Sequence, residues 1–543
     1  MKISAKWLVF SVAVSFVGSS MADAENWAPA AGTNEWVDPA SWVEGTVPNA
    51  IGATAIFNSP TGTRNMDLNG QFTIGSMTID NNSTFSNNIR NFNISGDLLT
   101  FDAAGAGPAT ITSSGTGTNQ NILKSDMFFQ DDVVANVTNT VGNSSAGALS
   151  ITGNIFGPGG LTKNGDGEMT TAFNSGDTSQ VKQYTGDSVI NGGRWRTSFG
   201  GTPTLTSSFT INNGQLDIIT NNSAYTFGTG SMILNGQGPT SGPFAAFPGA
   251  IRPDTGLTIS ITNDVTLQSN SSIVVTSTTT PSFVQGQLTL SGAVTGSGML
   301  IAGQMPGDPT RGGRLVLSGT NDYAGGTDIQ QGEVWVSGAS ATLGKGDVLV
   351  DGVSVNGFSQ ASGTLTIKSG VTNAIADSAT LTITGDSGAD GVIGGFVNLE
   401  SGINETVGHL VLGGTTETVP GTYGSSSSAA TFKLDQYFSG TGIVTLAAPA
   451  GVPGDYNGNG VVDAADYVLW RSGGPLQNEV ASTGTVDQAD YTAWRARFGN
   501  TSGAGSGSSL HGAAVPEPST LAFTCFVVGL LTLTPRQRIA AIA

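Results

Sequence analysis

From Glu25 to about Leu446 the chain alternates apolar and small polar residues in short runs. Gly363-Thr-Leu365-Thr-Ile367, Ala379-Thr-Leu381-Thr-Ile383 and Gly346-Asp-Val348-Leu-Val350 are examples. Period-two alternation places Leu, Ile and Val on one face and Thr on the other, which is the pattern of a half-buried strand. Gly, Asn, Ser and Asp interrupt the runs so often that no long helix fits between them. So many short strands need an arrangement that hides their edges. Stacked coils of a solenoid leave edges only at the two ends. The pattern therefore predicts a mainly β fold, a β-solenoid over residues 25–446.

The periodicity changes beyond a short Pro-biased linker, Ala447–Pro453. Val462-Asp463-Ala-Ala465-Asp466-Tyr467-Val-Leu-Trp470-Arg471 returns as Val486-Asp487-Gln-Ala489-Asp490-Tyr491-Thr-Ala-Trp494-Arg495. The expectation for 454–500 is a small module of loop and short helix, repeated. Tyr and Trp fall three apart in each copy, so they share a helical face and can pack the two halves together. Residues 501–514 are Gly/Ser-rich and read as a flexible linker.

Composition narrows the class of partner. The chain has 39 acidic and 20 basic residues, a net charge of −19, and no Lys/Arg cluster. That excludes phosphate-backbone recognition and hence nucleic acid. The acidity suits a solvated extracellular surface and divalent cations. Cys525 is the single cysteine, so no disulfide forms within one chain.

The ends carry addresses. Met1–Ala24 has Lys2 and Lys6, an apolar stretch through Val17, and the small-residue site Ala22-Asp23-Ala24. It reads as a secretory leader cleaved after Ala24, because its apolar run is short of the ~20 residues that span a bilayer. Near the other end, Pro516-Glu517-Pro518 precedes the apolar run Leu521–Thr534 and the basic Arg536 and Arg538. The basic residues after the run should stay on the cytoplasmic side.

The strongest chemical signal is Asp455-Tyr-Asn457-Gly-Asn459-Gly460-Val461-Val-Asp463-Ala-Ala-Asp466. Side-chain oxygens stand at loop positions one, three, five, nine and twelve. Val461 offers its carbonyl, and Gly460 supplies the sharp turn at position six. That spacing is the one a calcium ion demands of a twelve-residue loop. The second copy offers Glu479, Thr483, Thr485, Asp487 and Asp490, but Ala481 at position three has no ligand and Glu479 is one carbon longer than Asp. A weak or empty second calcium site is expected.

Catalysis is not expected. Asp131-Asp132 is an adjacent acidic pair, and glycosidic cleavage uses two carboxylates. It reads instead as a solvated turn. The only histidines are His409 and His511, with no nucleophile elbow beside either and no His/Cys cluster for zinc. Trp27, Trp36 and Trp42 could stack on sugar rings; they read as the cap that covers the open end of the solenoid.

Three resemblances follow from these residues. Gly157-Pro-Gly-Gly160-Leu161-Thr162-Lys163 with Tyr184-Thr-Gly186, and Leu290–Leu300 continuing through Asn321-Asp-Tyr323-Ala-Gly325-Gly326-Thr327, resemble the autotransporter-associated β-strand repeat. In that repeat Leu-Thr-Lys and Asn-x-Tyr-x-Gly-Gly-Thr mark turns. Ile403–Leu410, Pro420–Gly424 and Phe438–Gly442 resemble its closing section. The family implies a right-handed parallel β-helix on an exported surface protein. Residues 454–500 resemble a type I dockerin, which implies calcium and either a cohesin-like partner or self-assembly. Residues 515–543 resemble a PEP-CTERM sorting signal, which implies an exosortase-type processing enzyme and delivery to the cell envelope or exterior. Together they describe an exported structural or adhesive solenoid with a calcium-dependent interaction module. The alternative is a polysaccharide-binding or polysaccharide-degrading protein assembled through its dockerin.

Overall fold

The structure is a computed structural model. It describes residues 24–501 except 91–95, 106, 139–147, 173–181, 199–207, 220–221, 226, 228–229, 247–248, 279–283, 304–311, 352–362, 386–394, 448–450 and 481–483. Residues 1–23, where the leader is expected, His511 and the Pro516-Glu517-Pro518 segment lie outside the described residues. The chain divides into two compact units between residues 448 and 449.

The first unit is mainly β and built as a parallel β-helix. Apart from a hairpin of His409–Leu412 with Thr415–Thr416 near its end, its strands stack coil upon coil. Val133–Val137, Leu149–Ile151 and Ile155–Gly157 form three sides of one coil. The preceding coil supplies Ala109–Ser114, Asn121–Leu123 and Met127–Phe129, and the following one Leu161–Asn164, Glu168–Ala172 and Lys182–Tyr184. Val133 stands in register with Ala109 below and Leu161 above. Each coil therefore advances the stack by one strand spacing, about 4.8 Å.

Among the described residues the first face has eleven parallel strands, running from Ala24–Asn26 to Val294–Gly296. The second face has eight, from Gly32–Glu35 to Gln215–Ile218. It continues through bridges from Leu216 to Ile251 and from Ile251 to Ile273 into a seven-stranded sheet. A five-stranded sheet makes the third side of the early coils, and an eight-stranded one, Asn222–Tyr225 to Phe438–Gly440, runs through the later coils.

The alternation in sequence becomes the partition between core and surface. In the strand from Val133 to Val137, Val133, Ala135 and Val137 are buried while Val134 and Asn136 are half-exposed. Each fully buried aliphatic side chain contributes roughly 1.5–3 kcal/mol. The turns use hydrogen bonds between coils. Asp132, Asp187, Asp264 and Asp347 each precede a strand, and each accepts a backbone N–H from the next coil. The donors are Gly160 at 2.7 Å, Ser208 at 3.2 Å, Ala293 at 2.8 Å and Thr380 at 2.8 Å.

Both ends of the stack are closed. Trp27, Trp36 and Trp42 are buried, packed on one another with ring centroids 5.0 Å apart and on Phe57. They form the expected cap, so their rings are not free to stack on sugars. At the other end Gly421–Gly424 runs antiparallel to Ile443–Leu446, which breaks the all-parallel pattern, and Tyr423 stacks on Phe432 at 4.7 Å.

The second unit has two helices among its described residues, α1 (Ala464–Ser472) and α2 (Gln488–Arg497). No helix among the described residues is long and apolar enough to cross a membrane.

Candidate metal centre and polar surfaces

The two halves of the C-terminal module are built alike. Asp463 caps α1 by accepting from Ala465 N, and Asp466 reaches back to Asp463 N at 2.7 Å. Asp487 and Asp490 do the same for α2. A reciprocal box of this kind pairs backbone donors that a helix start otherwise leaves unpaired. Tyr467, Trp470, Tyr491 and Trp494 pack between the helices with ring centroids 5.0–5.9 Å apart, as their spacing predicts.

The first loop wraps its own oxygens. Asp455 is buried and accepts Asn459 N at 3.1 Å and Gly460 N at 2.7 Å. Asn457 Oδ1 accepts Asn459 N, and Asn459 Oδ1 accepts Val461 N. Asp466, fully buried, closes the loop by accepting Asn457 N at 2.9 Å. Gly458 and Gly460 take φ of 72° and 87°, which only glycine adopts at no steric cost.

Among the described residues no three His, Cys, Asp or Glu side chains close together as a metal cluster. Asp463, one of the expected ligands, is engaged in capping α1. The donor set is all oxygen, and each engaged carboxylate or carboxamide oxygen keeps a second lone pair. These are the hard, partly neutral donors that suit calcium, with Asp455 and Asp466 as the buried carboxylates.

The second loop makes the same turn contact. Glu479 Oε2 accepts Gly484 N, as Asp455 accepts Gly460 N, so its extra carbon does not prevent the same turn contact. Thr483 lies outside the described residues, and Thr485 is exposed. Asp490 is fully buried, and its Oδ1 has no hydrogen-bond partner among the described residues. Tyr456 donates to the Asp490 carbonyl at 2.5 Å. Burial, reinforced by the Asp490 charge, pushes the Tyr456 phenol up to about 12, so it stays a donor at neutral pH.

On the solenoid, Asp131 and Asp132 are turn residues that face different coils. Asp131 accepts Ala103 N on the coil below, and Asp132 accepts Gly160 N on the coil above. His409 opens an exposed strand end. Glu168 and Asp217 are buried on the second face, held by Arg194 and Arg196. Burial pushes Asp217 up to about 6 against the pull of Arg196 and Arg194. Phe244 covers the Arg194 guanidinium at 4.3 Å.

Two features were not read from the sequence. Lys163 lies within the strand Leu161–Asn164, not in a turn, and its side chain is fully buried. Outside the first face, Asn136, Asn164, Asn191, Asn212 and Asn235 form a column. Each amide donates to its neighbour's carbonyl oxygen, at 3.2, 3.0, 2.9 and 3.3 Å in turn. The available signal was Asn at the end of strand after strand, as in Asn164-Gly165, Asn191-Gly192 and Asn235-Gly236, which reads locally as a turn.

The family model for the passenger-associated-transport-repeat matches residues 312–336. The match overlaps the later of the two expected repeat units and contains its Asn321-to-Thr327 segment. The earlier unit and the closing section lie outside it. No curated protein and no solved structure matches the chain.

Proposed function

We propose that this protein is an exported structural or adhesive solenoid of the cell surface or extracellular matrix, carrying a calcium-ordered interaction module at its C-terminal side. The repeat matched at 312–336 and the capped parallel stack support the surface-scaffold part. The Met1–Ala24 leader and the tail after Val515 support export, with the tail read by an exosortase-type enzyme. The observation that carries the module's role is the first loop. Buried Asp455 and Asp466 join the two ends of one loop through backbone N–H groups, with only oxygen donors between.

Calcium bound there would neutralise two buried carboxylates and lock the start of α1. Metal binding of this kind adds directly to folding free energy. The partner would be a cohesin-like protein or a second copy of the chain. The second loop, without a side-chain oxygen at Ala481, would bind more weakly.

The test is calcium titration of the full-length protein and of Asp455→Ala, followed by tryptophan fluorescence and circular dichroism. The expected result is a saturable calcium response in the native chain that the variant loses at the tighter site. An identical response in Asp455→Ala would overturn the assignment.

A further inference from the structure

The asparagine column ends in an open groove. Asn235 Oδ1 accepts Ser269 Oγ at 2.8 Å, and beyond it the lining is Asn213, Gln237, Thr240, Gln268, Asn270 and Ser297. The cavity volume is about 720 Å³. Its side chains are carboxamides and hydroxyls without a charge among them, on a chain of net charge −19. Gln237, Thr240, Gln268 and Ser297 are exposed, and their side chains make no hydrogen bond among the described residues. Asp166, on an earlier turn, is engaged by Ser241 Oγ at 2.9 Å and is not part of the lining.

The strip leading to the groove has the same character. Register puts Gln268 and Ser297 in line with Asn235, above Asn136 to Asn212. The neighbouring outward column carries Val134, Thr162, Val189, Thr210, Ile233 and Thr266. These two columns are thus uncharged, with amides on one side and β-branched side chains on the other, and the strand-start carboxylates Asp132, Asp187 and Asp264 lie beyond the β-branched column, each engaging a backbone N–H of the next coil. The columns repeat at about 4.8 Å, the strand spacing.

We infer that this groove and the strip below it bind a neutral polyhydroxylated chain, a polysaccharide without carboxylate, sulfate or phosphate. A carboxamide presents two donors and an acceptor with no net charge, so it pairs with hydroxyls of either polarity. An anionic chain would find no cation here and would meet the field of an acidic protein. The Thr and Val methyls offer apolar contact to the C–H faces of sugar rings. This deepens the adhesive part of the proposed function and is independent of the calcium module.

The experiment is equilibrium binding of the full-length protein to dextran, a soluble β-glucan and galactomannan, with polygalacturonate as the anionic control. Each is measured in calcium and in EDTA. The variants are Gln237→Ala/Gln268→Ala and Gln268→Glu, both at exposed positions without internal bonds. At least one neutral polymer is expected to bind, equally in EDTA. Both variants should weaken it by about tenfold, equivalent to ~1.4 kcal/mol, with melting temperature unchanged. Binding of polygalacturonate as tight as any neutral polymer would overturn the inference. So would no neutral binding, or binding indifferent to both variants. A dimer that Gln268→Glu dissociates, in a protein that binds no glycan, would assign the face to self-association instead. Binding that is lost only in EDTA would place the ligand at the calcium module and not in this groove.

Discussion

The indole N–H of Trp470 donates to the carbonyl of Asp487 at 2.7 Å. The module's internal repeat supplies the reciprocal bond, from Trp494 to the carbonyl of Asp463 at 2.8 Å. Each helix thus holds the N-cap residue of the other, and the N-cap aspartates sit in the two loops. Trp470→Ala removes one bond and one of the three ring contacts between α1 and α2. For a half-buried Trp the expected loss is about 2–3 kcal/mol. Because the caps belong to the loops, the calcium midpoint should also rise. Calcium titration by near-ultraviolet circular dichroism checks this; an unmoved midpoint would show that the loops order independently of the helix pair.

Close stacking explains why the matched repeat is rich in glycine. A Cβ on Gly325 would lie 2.3 Å from the backbone carbon of Gly298 on the coil below. That neighbour is main chain and cannot rotate away. Gly325→Ala must therefore push two coils apart, at a cost of about 1–3 kcal/mol. Gly370, where a Cβ meets nothing within 4 Å but φ is 90°, serves as a control for conformational strain alone. Hydrogen exchange should show faster opening of Thr327–Ile329 and Leu300–Ala302 in Gly325→Ala, and no change there in Gly370→Ala.

The turn after Gly319 is held by a buried hydroxyl chain. Tyr323 Oη lies 2.6 Å from Thr327 Oγ1, which donates to Leu343 O at 3.1 Å. Tyr184 and Ser188 repeat the contact at 2.7 Å in the earlier unit. Burial holds both phenols protonated far above neutral pH. Tyr323→Phe deletes a donor but leaves Thr327 bonded to Leu343, so the expected cost is only about 1 kcal/mol. Thr327→Val strips the Tyr323 hydroxyl of its partner inside the core and should cost more, by about 1–3 kcal/mol. Equal melting temperatures for the two variants would show that the Tyr323 hydroxyl finds another acceptor.

These examples mark what sequence could and could not supply. Period-two alternation is a local property, so the strands around Leu365 and Leu381, the Trp27–Trp36–Trp42 cap and the Tyr/Trp helix face were legible. The contacts between coils were not, because their partners are about 20 to 35 residues apart and nothing local sets the register. Asn164-Gly165 and Asn191-Gly192 read locally as turns, yet the two asparagines are rungs of one column. In the module, the spacing of the oxygen-bearing side chains is visible in the sequence, but the use of Asp463 as a helix cap depends on where α1 begins. Side-chain length at Glu479 is visible in the sequence, whereas its contact to Gly484 depends on the path of the loop.

Lys163 is the clearest case of a residue whose role exists only after stacking. Alternation in Leu161-Thr162-Lys163 points its side chain inward, and the core accepts it because three backbone carbonyls converge on Nζ. Asn164 O lies at 3.3 Å, Gly192 O at 2.9 Å, and Gly165 O accepts as well. Burial pushes the ammonium down to about 7, with Asp166 and Glu168 opposing. An unfolded lysine titrates near ~10.4. Between these values the unfolded chain holds a proton that the folded chain has released, so this group makes stability rise with pH, by up to about 1.4 kcal/mol per pH unit. Below pH 7 both states are protonated and the contribution is flat. Lys163→Met has no such titration. The melting temperature of the native protein should therefore gain on that of Lys163→Met between pH 7 and pH 9.5, and run parallel to it between pH 5.5 and pH 6.5. A constant difference across the whole range would mean that the three carbonyls keep the ammonium charged.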